Sequence, residues 1–169
     1  MKEHDIVAPS AWVARWAPLI TQGRVLDLAC GGGRHARLLA GLGLEVTAVD
    51  REPQSLPGIR FVQADLEDGS PWPLPGETFQ GIVVANYLHR PLFPAIERAL
   101  APGGVLIYET FMAGNERFGK PSNPAFLLAP GELWTAFAGL HIIAFEQGLS
   151  LAPKRAMVQR ICAGRSRNG

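Results

Sequence analysis

Residues 25–36 join a hydrophobic, strand-like segment to a helical pattern through a turn of small residues, Ala-Cys-Gly-Gly-Gly. Gly31 and Gly33 carry no Cβ atom, so the backbone of this turn can adopt positive φ and a ligand can approach its amide groups closely. A turn of this kind also occurs where glycine is needed only for geometry. The neighbouring residues therefore decide whether the turn belongs to a ligand site.

Three acidic residues lie at the ends of three successive predicted strands. Asp27 lies in the first strand, Asp50 follows the second and Asp65 follows the third. Parallel strands bring their carboxyl ends to one edge, where open α/β sheets bind ligands. The Asp50 carboxylate suits the two hydroxyls of a ribose because it offers two acceptor oxygens. Asp65 and Leu66 together suit the exocyclic amine and the face of a purine, although each aspartate alone could be a turn residue.

Strand-like and helical patterns alternate along the chain. The strand-like segments are 25–28, 45–49, 59–62, 81–85, 105–108, 140–145 and 157–161, and the helical patterns include 36–42 and 92–100. This alternation is typical of a parallel sheet. Residues 82–84 and 105–107 are continuously apolar, which favours central strands covered on both faces. The sequence therefore predicts one α/β domain over residues 1–169.

Three other segments complete the predicted domain. Ser10 can cap a helix carrying Trp12, Val13, Trp16 and Leu19, which predicts a helical cap over 1–20 that Pro18 ends or kinks. Residues 111–128 form a long stretch after the fifth strand, and we expect it to be a substrate lid. Its Arg117, Lys120, Phe111 and Phe118 suit a planar or anionic substrate or a packed loop. Residues 164–169 predict a flexible tail.

The composition indicates which kinds of binding partner to expect. With 169 residues and 47% hydrophobic content, the chain can bury one core, and its net charge of +1 gives no general attraction to nucleic acid or anionic membranes. Binding to nucleic acid is therefore unsupported rather than ruled out. Two cysteines are too few for a disulfide framework, and no apolar run approaches the length of about 20 residues that spans a bilayer. We expect a cytoplasmic protein with a small-molecule substrate and, from the histidine spacing, no metal.

The motifs together resemble class I S-adenosylmethionine-dependent methyltransferases over about residues 20–162. Residues 25–33 resemble the first motif of the family, Val49-Asp50 its ribose-binding acid, and Asp65-Leu66 its adenine-binding step. Residues 72–80 resemble the approach to the fourth strand, with Gln80 where aspartate is usual. Residues 101–104, Ala-Pro-Gly-Gly, resemble the entry to the fifth strand. The compact tellurite-resistance-like enzymes are the most similar subgroup.

The resemblance implies a Rossmann-like, mostly parallel sheet of order 3-2-1-4-5-7-6, with strand 7 antiparallel and helices on both faces. It implies S-adenosylmethionine as the cofactor, lying over the ends of strands 1 and 4. The cofactor-binding residues would be Asp27, Ala29, Gly31, Gly33, Arg34, Asp50, Asp65, Leu66 and Asn86. The backbone of Ala29 and Gly31 would contact the methionine part, Arg34 would meet its carboxylate, and the sulfonium would point toward Asn86. Arg34 could equally be a solvated helix residue.

Methyl transfer is an in-line displacement, so the protein mainly aligns the reacting atoms and excludes water. A base is required only if the nucleophile is a hydroxyl or a protonated amine. His89 is the first candidate, with Tyr87 and Glu109 behind it, and His89 could equally be a structural histidine. We expect a small-molecule acceptor, and the oligomeric state stays open.

Two other functions compete with methyl transfer. A noncatalytic S-adenosylmethionine-binding regulator would keep Gly31, Asp50 and Asp65 but would have no acceptor pocket. A nicotinamide-dependent oxidoreductase also fits Gly31-x-Gly33-x-x-Ala36 with an acid 17 residues beyond Gly33. Such an enzyme does not require Asp27 or the Pro-Gly-Gly step, so it ranks below the methyltransferase.

Overall fold

A computed structural model describes residues 8–168. Within them, seven strands form one sheet: β1 (Arg24–Leu28), β2 (Glu45–Asp50), β3 (Arg60–Gln63), β4 (Phe79–Ala85), β5 (Leu100–Phe111), β6 (His141–Ser150) and β7 (Ala156–Gly164). Their order is β3-β2-β1-β4-β5-β7-β6. Strands β1 to β5 pair in parallel, and β7 runs antiparallel to both β5 and β6. The predicted fold class and strand order are confirmed.

Helices cover both faces of this sheet. They are α1 (Ala11–Trp16), α2 (Arg34–Gly41), α3 (Phe93–Ala99) and α4 (Glu132–Ala136). Successive side chains of β5 enter opposite apolar layers, as the alternation of a strand requires. Ile107 packs in the layer that contains α1 and α2, whereas Tyr108 packs in the layer that contains α3 and α4. Two covered faces explain why the central strands are continuously apolar.

The first helix begins and ends as its sequence predicts. The Ser10 hydroxyl accepts a hydrogen bond from the Val13 amide at 3.4 Å, and α1 gives way at Ala17 to a 3-10 turn that contains Pro18. Leu19, which the sequence placed on the apolar face, is 45% exposed because the chain has left the helix by that point. Residues 1–7 of the predicted cap lie outside the described residues.

The carboxyl-terminal strand extends farther than the sequence predicts. Gly164 pairs with Val105 and His141, and the backbone of Arg165 exchanges hydrogen bonds of 2.9 Å with Gly103 and Gly104. The predicted flexible tail over 164–169 therefore starts too early, and residue 169 lies outside the described residues. The Pro-Gly-Gly residues 102–104 belong to β5 itself, so this strand is longer than the segment 105–108 that the sequence predicts.

None of the helices in the described range is long and apolar enough to cross a membrane.

Candidate functional site

A cavity of about 500 Å³ lies at the carboxyl-terminal edge of the parallel strands. Ala29 after β1, Asp50 at the end of β2 and Asn86 after β4 line it, together with Thr110 in β5. This is the edge at which open α/β sheets bind ligands. Six of the residues that the sequence predicts line the cavity: Ala29, Asp50, Asp65, Leu66, Asn86 and Tyr87.

The glycine turn lies beside this cavity and is held in a left-handed conformation. The φ angles are 57° at Ala29, 53° at Gly31 and 86° at Gly33. A Cβ atom at Gly33 would lie 2.5 Å from Leu56 Cδ2, whereas a Cβ atom at Gly31 would meet no heavy atom within 4 Å. The positive φ favours glycine at position 33, and a side chain there would also have to displace the end of the Leu56 side chain, whereas Gly31 faces open space that a ligand can fill.

The Asp50 carboxylate is fixed by two backbone amides. Its Oδ2 accepts a hydrogen bond from the Gly31 amide at 2.9 Å, and its Oδ1 accepts one from the Glu52 amide at 3.0 Å. Each carboxylate oxygen has a further lone pair, so Asp50 can still accept hydroxyl donors from the cavity. The glycine turn and this acid form one preorganised unit.

Asp65 and Leu66 line the next part of the cavity wall. Asp65 Oδ1 accepts a hydrogen bond from the Glu67 amide at 2.9 Å, which closes a tight turn after β3. The Asp65 side chain is exposed, and Leu66 is half-buried against the layer of α3 and α4. The pair presents an acceptor and an apolar surface side by side, which is the combination that suits a purine.

Asp27 is a buried carboxylate with an unused oxygen. It is 1% exposed, and its Oδ2 has no hydrogen-bond partner among residues 8–168. Burial raises the pKa of Asp27 to about 7, and the nearby Arg34 charge opposes that rise. A hydrogen-bonding cation beside this carboxylate would satisfy the unused oxygen and stabilise its charged form.

The Arg34 side chain does not line the cavity. Its Nη1 donates to the Ala8 carbonyl at 3.0 Å, so the guanidinium binds the segment that precedes α1. The same segment is held by the Ser10 amide, which donates to His35 Nε2 at 3.0 Å. Contact between Arg34 and a ligand carboxylate stays a prediction.

The three predicted bases differ in their surroundings. Tyr87 lines the cavity and donates its hydroxyl to Glu67 Oε2 at 3.1 Å, and burial is the main reason that its pKa is raised. In this arrangement the Tyr87 hydroxyl is a hydrogen-bond donor to Glu67, and its role as a base stays a prediction. His89 lies outside the cavity lining, with Nδ1 3.7 Å from Glu67 Oε1.

Both oxygens of Glu109 already have partners. Ser10 Oγ donates to Oε1 at 2.7 Å, and Arg160 Nε donates to Oε2. Arg160 also bonds Glu146 and Ser150, so the carboxylate ties α1 to β5, β6 and β7. Both Glu109 oxygens therefore take part in contacts between elements, and a role for Glu109 as a base stays a prediction.

Glu67 is the site residue that the sequence reasoning missed. It lines the cavity and lies between Tyr87 and His89, which are about twenty positions away in the chain. Its only sequence signal is its place two residues after Asp65, in the run Asp-Leu-Glu-Asp.

The segment over 111–128 covers one side of the cavity through Phe111, Pro121 and Phe126. Its two ends are joined, since the Leu128 amide donates to the Phe111 carbonyl at 3.0 Å and the Ala113 amide donates to the Leu128 carbonyl at 2.8 Å. Arg117 and Lys120 are exposed and do not line the cavity. Closure of this segment as a lid stays a prediction.

Arg90 anchors the far end of the same segment. Its guanidinium donates to the carbonyls of Ala125 and Leu127 at 3.2 and 2.9 Å, and it forms a two-pronged ion pair with Glu132. The segment is therefore packed against the exit of β4 and the start of α4. In the described part of the chain, no group of three or more His, Cys, Asp or Glu side chains is arranged to hold a metal ion.

Comparison with known proteins gives consistent results. Residues 25–104 match a family described as a methyltransferase domain. The trans-aconitate 2-methyltransferase of Methylobacterium nodulans is 36% identical over 109 residues, which cover 58% of this chain and 42% of that protein. The corresponding protein of Rhizobium etli is 28% identical over 98% of this chain and 66% of its own length. The chain thus spans about two fifths of the Methylobacterium relative.

Solved structures share the fold at low identity. TehB from Haemophilus influenzae superposes with a TM-score of 0.79 at 18% identity, over 98% of this chain and 65% of that chain. The 1,6-didemethyltoxoflavin-N1-methyltransferase of Burkholderia thailandensis gives 0.68 at 20% identity, over 91% and 76%. The methyltransferase-domain match over residues 25–104, together with the strand order and the shared fold, supports a class I S-adenosylmethionine-dependent methyltransferase.

Proposed function

We propose that this protein transfers a methyl group from S-adenosylmethionine to a small-molecule acceptor. One observation carries the proposal: the Gly31 amide fixes the Asp50 carboxylate at the edge of a cavity of about 500 Å³, next to space that no protein atom fills. That cavity has a volume in the range of small-molecule and cofactor sites.

The residues present fit the cofactor. Asp27 does not line the cavity, but its unused buried oxygen suits an ammonium group, and Asp50 offers two fixed oxygens to ribose hydroxyls. Asp65 and Leu66 supply the acceptor and the apolar surface for adenine. The bound cofactor supplies an electrophilic methyl group on sulfur. The protein's own task is to hold that group and the acceptor in line and to exclude water.

The cavity lining also contains apolar and aromatic residues to which no cofactor contact is assigned, which favours an enzyme over a noncatalytic regulator. These residues are Tyr87, Leu88, Phe111 and Phe126. These residues leave an apolar space next to the end of β4, where an acceptor can bind. Several relatives are named for methylating trans-aconitate, a small molecule, which supports an acceptor of that size.

Isothermal titration with S-adenosylhomocysteine, S-adenosylmethionine and NAD tests the cofactor assignment. We expect both sulfur ligands to bind and NAD not to bind. Asp50→Ala should weaken binding at least about tenfold, because hydrogen bonds to a charged group contribute about 1.5–3 kcal/mol each. Asp68→Ala is the matched control, since Asp68 is exposed and caps Ser70 outside the cavity lining. Binding of NAD without either sulfur ligand would contradict the proposal.

Release of S-adenosylhomocysteine tests the catalytic step. We expect fractionated small molecules to stimulate this release by the wild-type protein and not by Asp50→Ala. A protein that binds the cofactor but releases no product with any fraction would favour the regulator instead.

A further inference from the structure

We propose that the acceptor is a molecule with a planar aromatic ring and an ammonium group and that Glu67 selects it against carboxylate-bearing molecules. This inference rests on the proposed methyl transfer and specifies the acceptor class. It is carried by the walls and the charges of the acceptor side of the cavity.

Rings form much of the wall on this side. Tyr87, Phe111, Pro121 and Phe126 all line the cavity, and Leu88 adds an aliphatic surface. Flat aromatic and proline side chains give the most contact area to a flat ligand, and aromatic pairs gain stability beyond their buried area. These walls favour a planar acceptor over a flexible, highly hydrated one.

The charges that line the cavity are mainly negative. Glu67 contributes a carboxylate to which no cofactor contact is assigned, the cofactor-binding Asp50 and Asp65 contribute two more, and Arg51 is the one basic residue in the lining that the described residues form. The Arg51 side chain is 72% exposed, and its Nε lies 3.6 Å from Glu52 Oε1. The field in the cavity therefore disfavours an anion such as a tricarboxylate.

The other nearby arginine and lysine side chains do not reverse this field. Arg90 is already bonded to the Glu132 carboxylate and to two backbone carbonyls. Arg117 lies over the Phe118 ring at 5.6 Å, and both Arg117 and Lys120 are exposed outside the lining.

Glu67 is the carboxylate placed to contact an amine. Its amide is fixed by Asp65, its Oε2 accepts the Tyr87 hydroxyl at 3.1 Å, and its Oε1 lies 3.7 Å from His89 Nδ1. The side chain is 47% exposed, so it reaches both the cavity and water. A ligand ammonium beside the Tyr87 ring gains both a charge-assisted hydrogen bond and a cation–π contact.

The same carboxylate can prepare the nucleophile. An ammonium acceptor must lose one proton before its nitrogen can react, and the nitrogen keeps the electron pair of the broken N–H bond. Glu67 receives that proton and becomes a neutral carboxylic acid, which then returns the proton to water. His89 is a positioning residue in this arrangement, because it reaches the acceptor only through Glu67.

The test compares three ligands that share one aromatic ring and differ in charge: a cation, a neutral molecule and an anion. Benzylamine, benzyl alcohol and benzoate are titrated at pH 7.5 into the protein saturated with S-adenosylhomocysteine, and trans-aconitate is the fourth probe. We expect benzylamine to bind about tenfold more tightly than benzoate, with benzyl alcohol between them and trans-aconitate weakest. Glu67→Gln keeps the shape and removes the charge, so the ratio should fall below about threefold. Asp68→Asn, which removes an exposed carboxylate outside the lining, is the matched control and should keep the ratio.

Each result decides the proposal. Equal or tighter binding of benzoate or trans-aconitate overturns it, as does an unchanged ratio in Glu67→Gln or the absence of saturable benzylamine binding. If Glu67→Gln no longer binds S-adenosylhomocysteine, Tyr87→Phe replaces it, and the ratio must fall there because Glu67 loses the hydroxyl that holds it. A wild-type protein that fails to bind S-adenosylhomocysteine refutes the proposed function. Normal binding of that ligand without the charge preference refutes only the acceptor class.

Discussion

Gly31 and Gly33 lie two positions apart in the same turn, yet their surroundings differ. The first faces open space next to Asp50, and the second faces the Leu56 side chain. Both have positive φ, which an L side chain adopts at a cost of about 1 kcal/mol or more. Stability and ligand binding should therefore respond to the two glycines separately.

Alanine substitutions separate these effects. Gly33→Ala should lower the free energy of unfolding by about 2–4 kcal/mol, from backbone strain and overpacking against Leu56. Gly31→Ala should cost about 1 kcal/mol of stability but should strongly weaken binding of S-adenosylhomocysteine, because its Cβ occupies the open space. Gly32→Ala, where φ is ordinary and no atom lies within 4 Å, is the control and should stay within about 0.5 kcal/mol. Denaturant unfolding measures the stability of each variant, and titration measures its binding of S-adenosylhomocysteine. Equal stability of Gly33→Ala and Gly32→Ala would be inconsistent with this packing.

Asp27 predicts a pH dependence of stability. Its pKa is about 7 in the folded protein against 3.8 for the ordinary side chain, so its contribution is fully present below pH 3.8 and is lost as the pH rises through about 7. Asp27→Asn removes this loss. Relative to wild type, the ligand-free variant should therefore gain stability between pH 5 and pH 8, by an amount on the order of 1–3 kcal/mol. Urea unfolding at the two pH values checks this, and a constant difference would refute it.

The same residue predicts proton release when the cofactor binds. A ligand ammonium next to Asp27 favours the carboxylate, so binding near pH 7 should release protons from wild type. Titration in buffers of different ionisation enthalpy measures this release. Asp27→Asn should lose it, and proton release that persists in this variant would assign it to another group.

At the scale of elements, the sequence predicts the features that depend on a local pattern of residues. Apolar segments and their spacing gave all seven strands, and the strand ends placed Asp50, Asp65 and Asn86 at one edge. Contacts between distant residues escaped this reasoning. The hydrogen bonds of Glu109 with Ser10 and Arg160 could not be predicted from the sequence, because these partners lie 99 and 51 positions away. Glu67 was missed for the same reason, since its contacts with Tyr87 and His89 form only when the folded sheet brings the segment after β3 to the segment after β4.

Arg90 should control the order of the segment over 111–128. Arg90→Ala removes the bonds to Ala125, Leu127 and Glu132, so amide hydrogen exchange at 124–129 should speed up. The free energy of unfolding should fall by about 1–2 kcal/mol, since the ion pair is partly exposed and screened. Arg98→Ala, on the exposed side of α3, is the control. Unchanged exchange at 124–129 would show that other contacts hold this segment.

At the scale of the whole molecule, the sheet lies between two apolar layers and contributes side chains to both. Leu39 lies in the layer of α1 and α2, and Ile96 lies in the layer of α3 and α4. Neighbouring residues of each central strand pack in different layers. If one layer loses its packing, the same strands are disturbed in the other layer. We therefore expect the described chain to unfold as one cooperative unit.

Core truncations test this cooperativity. Leu39→Ala and Ile96→Ala each remove a fully or almost fully buried side chain and should each cost about 2–4 kcal/mol. Trp12 reports on the first layer and Trp72 packs against the second. In both variants, tryptophan fluorescence and far-ultraviolet circular dichroism should give coincident unfolding midpoints. Separate midpoints in either variant would show two independently melting layers.

The position of β7 has a consequence for the order in which the chain assembles during synthesis. Strand β7 lies between β5 and β6, so β6 has no other neighbour in the sheet although it leaves the ribosome first. Strands β1 to β5 can align as each emerges, whereas β6 must wait as an unpaired strand until β7 has been made. During translation, the interval between residues 150 and 164 is therefore the period in which this polypeptide most needs protection from pairing with another chain.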